Sequence, residues 1–204
     1  MSGTSTKDRI LETSIELFST RGFFGVSIRD IAKTVGIKES SIYNHFKSKE
    51  EILDTIFDQF QDAMEQTIPS DEALEKALGG LSAEDFWKVG LMKFTDKTET
   101  PRMENISKII LYEMFRNQRA RDLAISELFT RQQDVVRKIF SLMIERGVIA
   151  DLDVDALATA YSYAMLSLQL EMTLKKNWGL NTDVVLEKMM RHIRFISEVA
   201  GKIN

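Results

Sequence analysis

The chain has no cysteine among its 204 residues and only two histidines, His45 and His192. The first absence excludes disulfide bridges, thiol nucleophiles and cysteine-based zinc or iron–sulfur sites. Two histidines are too few for a histidine-rich metal centre, so neither a metal nor a cofactor is expected. No segment approaches the roughly 18 uninterrupted apolar residues of a membrane-spanning helix, and the first residues lack the apolar core of a secretory signal. We therefore expect a cytoplasmic protein with no membrane partner.

Proline is scarce as well, with only Pro69 and Pro101, and the alternating pattern of β-strands is absent. Apolar residues instead recur at spacings of three and four, the period of an α-helix. Ser5, Ser27 and Ser82 are each followed three positions later by an aspartate, which is the pattern of a helix N-terminal capping box. These features predict an all-α fold. The helices are expected near residues 5–21, 28–35, 39–46, 48–67, 71–78, 83–97, 101–117, 120–146, 154–177 and 183–201.

Charge is unevenly distributed along the chain. The formal net charge is −4, yet residues 1–47 carry seven basic and five acidic side chains, so the acidic excess lies entirely in the remainder. A basic end suggests contact with nucleic acid, although so small a difference is also typical of a solvated surface. The three short helices before residue 47 predict an N-terminal domain over 1–47. A larger helical domain over 48–204 follows, with 48–67 as the connecting helix.

Residues 27–46 have the pattern of a helix-turn-helix. Ile31, Ala32 and Val35 share one face of a short helix, and Gly36 can adopt the positive φ that a sharp turn requires. Two helices joined by such a turn match the motif whose second helix enters the DNA major groove, although a tight corner also occurs in other small helical proteins. The second helix leaves outside a run of hydrogen-bonding side chains suited to base edges and phosphates: Glu39, Ser40, Ser41, Tyr43, Asn44 and His45.

The match to a known family extends to both flanks of this motif. The segment 6–53 resembles the DNA-binding domain of TetR-family transcriptional repressors in its leading helix and in its end, Ile-Tyr-Asn-His-Phe-Lys-Ser-Lys-Glu-Glu-Ile-Leu over 42–53. The rest of the chain resembles the family only in length and helical layout. The resemblance implies a regulator that binds a palindromic operator as a homodimer and is released by a small-molecule effector.

The resemblance also implies roles for individual residues. Ser27 would hold a phosphate at a helix N-terminus, where free N–H groups favour an anion, and Arg29 would reach a base edge or a phosphate. Three residues would read bases: Ser40, Ser41 and Asn44. Three more would bind the phosphate backbone: Tyr43, His45 and Lys49.

Two positions of this predicted surface depart from the family pattern. Lys38 stands where the family usually has a Ser or Thr cap, and Glu39 stands where Lys or Gln is common. Glu39 could accept a hydrogen bond from a cytosine amino group, or it could only complement the helix N-terminus. The operator sequence is therefore not predicted.

The last two helices predict a second buried surface. The helix after Asp153 carries one apolar stripe for the chain's own core and a second stripe on nearly the opposite side. Because a monomer rarely exposes so much apolar surface, we predict a homodimer through these helices, the alternative being burial within one subunit. The predicted interface residues are Tyr163, Leu166, Leu170, Leu174, Val185, Met189, His192, Ile193 and Ile196.

A small-molecule effector is expected in the C-terminal domain, although aromatic and methionine stripes at helical spacing more often form a core. The candidate lining residues are Phe86, Trp87, Phe94, Tyr112, Glu113, Phe115, Phe129, Tyr161 and Met165. Glu113 flanks an apolar stripe, where it could meet a cationic ligand or could face solvent as the partner of a nearby arginine. The common catalytic motifs are absent, so no enzyme is expected. The alternative function is a helical small-molecule-binding or adaptor protein without sequence-specific DNA binding.

Overall fold

The computed structural model describes residues 5–201, and all regular secondary structure in that range is helical. The predicted all-α fold is therefore confirmed. Within the range, the structure has eleven α-helices: α1 Thr6–Arg21, α2 Ile28–Val35, α3 Glu39–Tyr43, α4 Lys49–Glu65, α5 Asp71–Leu78, α6 Ala83–Thr98, α7 Pro101–Glu113, α8 Gln118–Ala124, α9 Arg131–Glu145, α10 Val154–Asn177 and α11 Asp183–Ala200.

Helices begin where the sequence places hydroxyl and carboxylate caps. Ser5 accepts a hydrogen bond from the Asp8 amide at 3.1 Å, and the Asp8 side chain accepts one from the Ser5 amide. Ser82 likewise receives the Asp85 amide at 3.1 Å. Because each pair lies within one turn, these caps satisfy free amides at a helix start without any tertiary contact.

One predicted helix is divided. The segment expected as a single helix over 120–146 contains α8, a π-helical stretch at Ile125–Thr130, and α9. A π-helical turn shifts the hydrogen bonds from four to five residues and so rotates the helix faces on either side of it. Helical periodicity alone does not predict this shift.

The chain forms two compact units, and the first contains α1–α4, α7 and α8. In the described range it comprises residues 5–65 and 98–125. Within it, α7 packs against α1 and α4, so a helix from the middle of the sequence supports the N-terminal helices. The division into 1–47 and 48–204 stays a prediction, and its outermost residues 1–4 and 202–204 lie outside the described residues.

The second unit contains α5, α6 and α9–α11, where α10 packs against both α9 and α11. Its core is rich in aromatic side chains: the Trp87 ring centroid lies 4.3 Å from that of Tyr161 and 5.0 Å from that of Phe140. Tilted and edge-on ring pairs of this kind contribute about 0.5–1.5 kcal/mol beyond the burial of their surface.

Between residues 5 and 201, none of the helices has the length and apolar character needed to cross a membrane. The same residues bring together no group of three side chains able to ligate a metal ion.

Candidate nucleic-acid interface

The turn between α2 and α3 has the geometry that the glycine predicts. Gly36 adopts φ 79° and ψ 36°, and the amides of Gly36 and Ile37 both donate to the Ala32 carbonyl at 3.0 Å. This left-handed closure ends α2 sharply, and α3 begins only three residues later at Glu39. The two helices therefore form a helix-turn-helix.

The apolar side of the motif fixes the orientation of α3. Ala32, Ile42 and Phe46 are at most 2% exposed, and the Lys7 ammonium lies over the Phe46 ring at 5.3 Å from its centroid. Seven of the predicted DNA-contacting residues are exposed: Ser27, Arg29, Lys38, Glu39, Ser40, Tyr43 and Asn44. The other three are half-buried: Ser41, His45 and Lys49.

Helix α3 is shorter than the predicted helix over 39–46. It ends at Tyr43, and Asn44 follows as its C-terminal cap residue. The amide of His45 donates to the Ile42 carbonyl at 2.9 Å, which closes a turn rather than a further helical step. Lys38 makes no side-chain cap at the start of α3, so this very short helix depends on packing.

Ser27 is part of a complete capping box at the start of α2. Its hydroxyl donates to Asp30 Oδ2 at 2.6 Å and accepts from the Asp30 amide at 3.2 Å. The hydroxyl hydrogen bond from Ser27 and the one from its amide lower the pKa of the Asp30 carboxyl. The Ser27 hydroxyl already donates its proton to the Asp30 carboxylate. A phosphate could therefore accept a hydrogen bond from this hydroxyl only by displacing Asp30 or by sharing the proton with it.

Lys49 has an unexpected set of contacts inside the first unit. Its ammonium donates to the carbonyls of Phe23 at 2.9 Å and Val26 at 2.8 Å. It also lies 4.1 Å from the centroid of the Phe23 ring. Two of the three ammonium protons are thus used to hold the loop between α1 and α2. Sequence reasoning missed this contact, since the partners are more than twenty residues apart.

Two further arginines hold this unit together and were not predicted. Arg102 of α7 pairs with Glu12 of α1, with 2.8 Å between its Nε and the carboxylate, and it also donates to Gln59 of α4. Arg119 of α8 pairs with Asp54 of α4 at 2.8 Å and with the carboxylate of Asp58 on the same helix. These ion pairs join α7 to α1 and α8 to α4, the two helices that flank the helix-turn-helix in the sequence.

The predicted dimer surface is partly wrong. Val185, Met189, Ile193 and Ile196 are at most 4% exposed because they pack into the core of the second unit within a single chain. The α10 stripe lies on the surface of the single chain: Tyr163, Leu170 and Leu174 are at least 44% exposed and Leu166 is half-buried. Its role in a dimer stays a prediction. On α11, the exposed apolar residues are instead Val184, Leu186, Phe195 and Val199.

His192 lies at the edge of the same core and is half-buried. Its ring stacks on that of Tyr161 with 5.9 Å between centroids. Burial lowers the pKa of His192, and a hydrogen bond with the Ala160 backbone offsets this only in part. Burial likewise raises the pKa of the Tyr161 hydroxyl.

The predicted effector-binding residues do not share one environment. Phe86, Trp87 and Tyr161 are buried in the core of the second unit. In the same unit, Phe94 and Met165 are half-buried and Phe129 is exposed. Tyr112 and Phe115, in the first unit, are 50% and 85% exposed, so they do not line an enclosed site in the single chain.

The interpretation of Glu113 as a solvent-facing partner of a nearby arginine is wrong, because its side chain is buried. It is only 4% exposed, and among the described residues no hydrogen-bond partner reaches its Oε2.

Comparison with known proteins identifies the N-terminal segment. Residues 10–56 match the family model described as "Bacterial regulatory proteins, tetR family". The probable HTH-type transcriptional regulator YttP of Bacillus subtilis is 26% identical over 152 residues, 70% of this chain and 65% of that protein. The negative regulator IcaR of the Staphylococcus aureus biofilm operon is 48% identical over 48 residues, 24% of this chain and 26% of that protein. The matches thus span less than two thirds of either relative.

Solved structures share the fold of nearly the whole chain. A TetR-family regulator from Mesorhizobium loti superposes with a TM-score of 0.69 at 13% identity, covering 97% of each chain. A regulator from Saccharomonospora viridis, determined in complex with choline, gives a TM-score of 0.64 at 24% identity, covering 94% of this chain and 95% of that one. The family model matches the helix-turn-helix, and these neighbours extend the likeness in fold to the remaining helices. The chain is thus similar to TetR-family bacterial regulatory proteins, in sequence over residues 10–56 and in fold over nearly its whole length.

Proposed function

We propose that the protein is a transcriptional regulator that binds a palindromic DNA operator as a homodimer, represses transcription there, and is released by a small-molecule effector. The observation that carries this proposal is the helix-turn-helix of α2 and α3. Its apolar side is fixed in a core, while its polar side is exposed. Operator DNA lies in the bacterial cytoplasm, where we place the protein, and the proposal includes no cofactor.

On DNA, the exposed side of α3 enters the major groove. Ser40, Ser41 and Asn44 contact base edges, while Tyr43 and His45 bind phosphates on either side of the groove. Arg29 reaches the backbone from the first turn of α2. We assign Lys49 a different role from the one that the resemblance implies, since its ammonium already holds the α1–α2 loop.

The homodimer is supported by apolar surface on the second unit. Tyr163, Leu166, Leu170 and Leu174 follow one another at spacings of three and four, so they form one continuous stripe on α10. On α11, Phe195 and Val199 lie on one exposed face. Pairing these two helices with their copies around a two-fold axis buries both faces. In a homodimer that reads a palindromic operator, the two α3 helices enter successive major grooves, roughly 34–36 Å apart.

The small-molecule effector is supported by the neighbour of the same fold that holds choline. An effector releases the protein from DNA by binding the DNA-free conformation more tightly. A tenfold preference corresponds to about 1.4 kcal/mol. The second candidate function is a helical small-molecule-binding or adaptor protein that does not bind specific DNA sequences. That function gives no role to the exposed polar side of α3.

The test is selection of bound fragments from a random duplex pool, followed by affinity measurements on the selected sequence at several salt concentrations. We expect a palindromic consensus and an affinity that falls steeply with salt, because bound phosphates release counterions. Absence of binding to any duplex at low ionic strength would refute the proposal. A consensus without two-fold symmetry would refute the dimeric arrangement alone.

A further inference from the structure

Glu113 is a buried carboxylate at the last residue of α7, in the first unit. It is 4% exposed, and no described residue offers a hydrogen bond to its Oε2. Among the described residues, none of the nearby arginines forms an ion pair with it: Arg102 pairs with Glu12, Arg119 with Asp54 and Asp58, and Arg121 with Asp122, while Arg116, three residues on, is exposed. The carboxylate is therefore not the partner of these side chains.

The environment of Glu113 along its helix is apolar. Ile106, Ile109 and Ile110 lie seven, four and three residues before it, on the same face of α7, and each is at most 1% exposed. An ionised carboxylate is strongly disfavoured in such surroundings unless a counter-charge or several hydrogen bonds compensate it. The low local dielectric that makes the unpaired charge unfavourable also strengthens its attraction to a cation that reaches it.

The chemistry of the position favours an organic cation over a metal ion. Calcium and magnesium require six or more oxygen ligands, several of them supplied by the protein or by water. The described residues place no second and third ligating side chain beside this carboxylate. A single buried carboxylate on the helix face that also carries buried isoleucines matches a single positive charge carried on an apolar body. We propose that Glu113 is the anionic contact of a binding site for a monovalent organic ammonium ion, and that this ion is the effector.

The position of Glu113 relative to the DNA-binding helices supports an effector role, which rests on the function proposed above. Helix α7 packs against α1 and α4 within one compact unit. Its first turn is joined to α1 by the Arg102–Glu12 ion pair. A cation that binds at the C-terminal end of α7 therefore acts on a helix that is directly bonded to the DNA-binding domain.

The experiment compares two ligands of the same shape that differ in charge. Binding of choline and of its uncharged isostere 3,3-dimethylbutan-1-ol to the full chain is measured by calorimetry, without DNA. Tetraethylammonium serves as a bulkier probe. The same titrations are made on Glu113→Gln, which keeps the shape and removes the charge, and on Glu145→Gln, an exposed carboxylate of α9, as the control.

We expect at least one of the two cations to bind wild type and Glu145→Gln at least tenfold more tightly than Glu113→Gln, and the neutral isostere to bind all three equally weakly. Loss of DNA binding on adding the cation, absent in Glu113→Gln, would identify it as the effector. If neither cation binds wild type more tightly than Glu113→Gln, or if the neutral isostere binds wild type as tightly as the tighter-binding of the two cations does, the proposal is refuted. The wild-type comparison of isosteres holds even if Glu113→Gln misfolds. Cation binding without any DNA binding would refute the proposed function and leave the site standing.

Discussion

Replacement of Lys49 by methionine separates two roles that the family resemblance and the structure give to this residue. The resemblance implies a phosphate contact, whereas the structure shows the ammonium bonded to the carbonyls of Phe23 and Val26. Methionine keeps an unbranched apolar stem of similar length and removes only the charge and the donors. The substitution therefore tests the ammonium contacts rather than the packing of the stem.

The expected loss of stability follows from the contacts. A hydrogen bond to a charged group contributes about 1.5–3 kcal/mol, and a cation over an aromatic face adds about 0.5–1 kcal/mol. Lys49 is half-buried, so part of this is offset by the hydration that the ammonium regains on unfolding. We expect the free energy of unfolding to fall by about 2–3 kcal/mol, measured by urea denaturation. The exposed Lys33 of α2, changed to methionine, should stay within about 0.5 kcal/mol of wild type.

Salt dependence of DNA binding distinguishes the two roles. Removal of a phosphate contact reduces the slope of log affinity against log salt by about one. If Lys49 only holds the loop before Ser27, the variant should bind every duplex more weakly, with the slope unchanged. A variant that is as stable as wild type and has lost about one unit of slope would show that Lys49 is a phosphate ligand and would refute our interpretation.

Further substitutions test the DNA surface, the dimer and the core. Asn44→Ala should cost about 1–3 kcal/mol at one base position and relax the preference there, whereas Tyr43→Ala should weaken binding to all sequences; equal losses on every sequence for Asn44→Ala would contradict base contact. Leu170→Glu places a charge in the middle of the α10 stripe and should yield a monomer in sedimentation equilibrium, whereas the same change at the exposed Met92 of α6 should leave the protein dimeric; a wild-type monomer at micromolar concentration would contradict the dimer. Burial lowers the pKa of His192, so the unfolded chain takes up its proton at higher pH than the folded one. Stability should therefore fall as the pH drops below about 6.5, and more steeply in wild type than in His192→Gln. Parallel stability curves from about pH 7 to pH 5 would contradict this.

Local features of the fold were predictable because their hydrogen bonds close within a few residues. The capping box of Ser5 and Asp8 joins atoms one turn apart, and Gly36 adopts a backbone conformation that other residues rarely adopt. The helix-turn-helix follows from such short-range patterns together with its apolar spacing. The end of α3 at Tyr43 did not follow, since the pattern of apolar residues continues to Phe46 while the chain turns.

Sequence reasoning was weakest where a helix has more than one apolar face. On α11, Val185 and Phe195 are both apolar, but only packing against α10 decides that Val185 is buried and Phe195 is exposed. A similar choice governs Glu113. Its place beside an apolar stripe left its exposure open, and only the folded unit shows that the carboxylate is buried without a hydrogen bond to Oε2.

The sequence by itself determined where most helices begin, where the sharp turn lies and which polar side chains α3 carries, because these depend on contacts between near neighbours in the chain. The tertiary structure alone decided that Lys49 bonds to the loop at Phe23, that Arg102 joins α7 to α1, and which face of α11 is buried. Such contacts join residues far apart in sequence. Their formation depends on how whole helices pack, which no spacing within a single helix specifies.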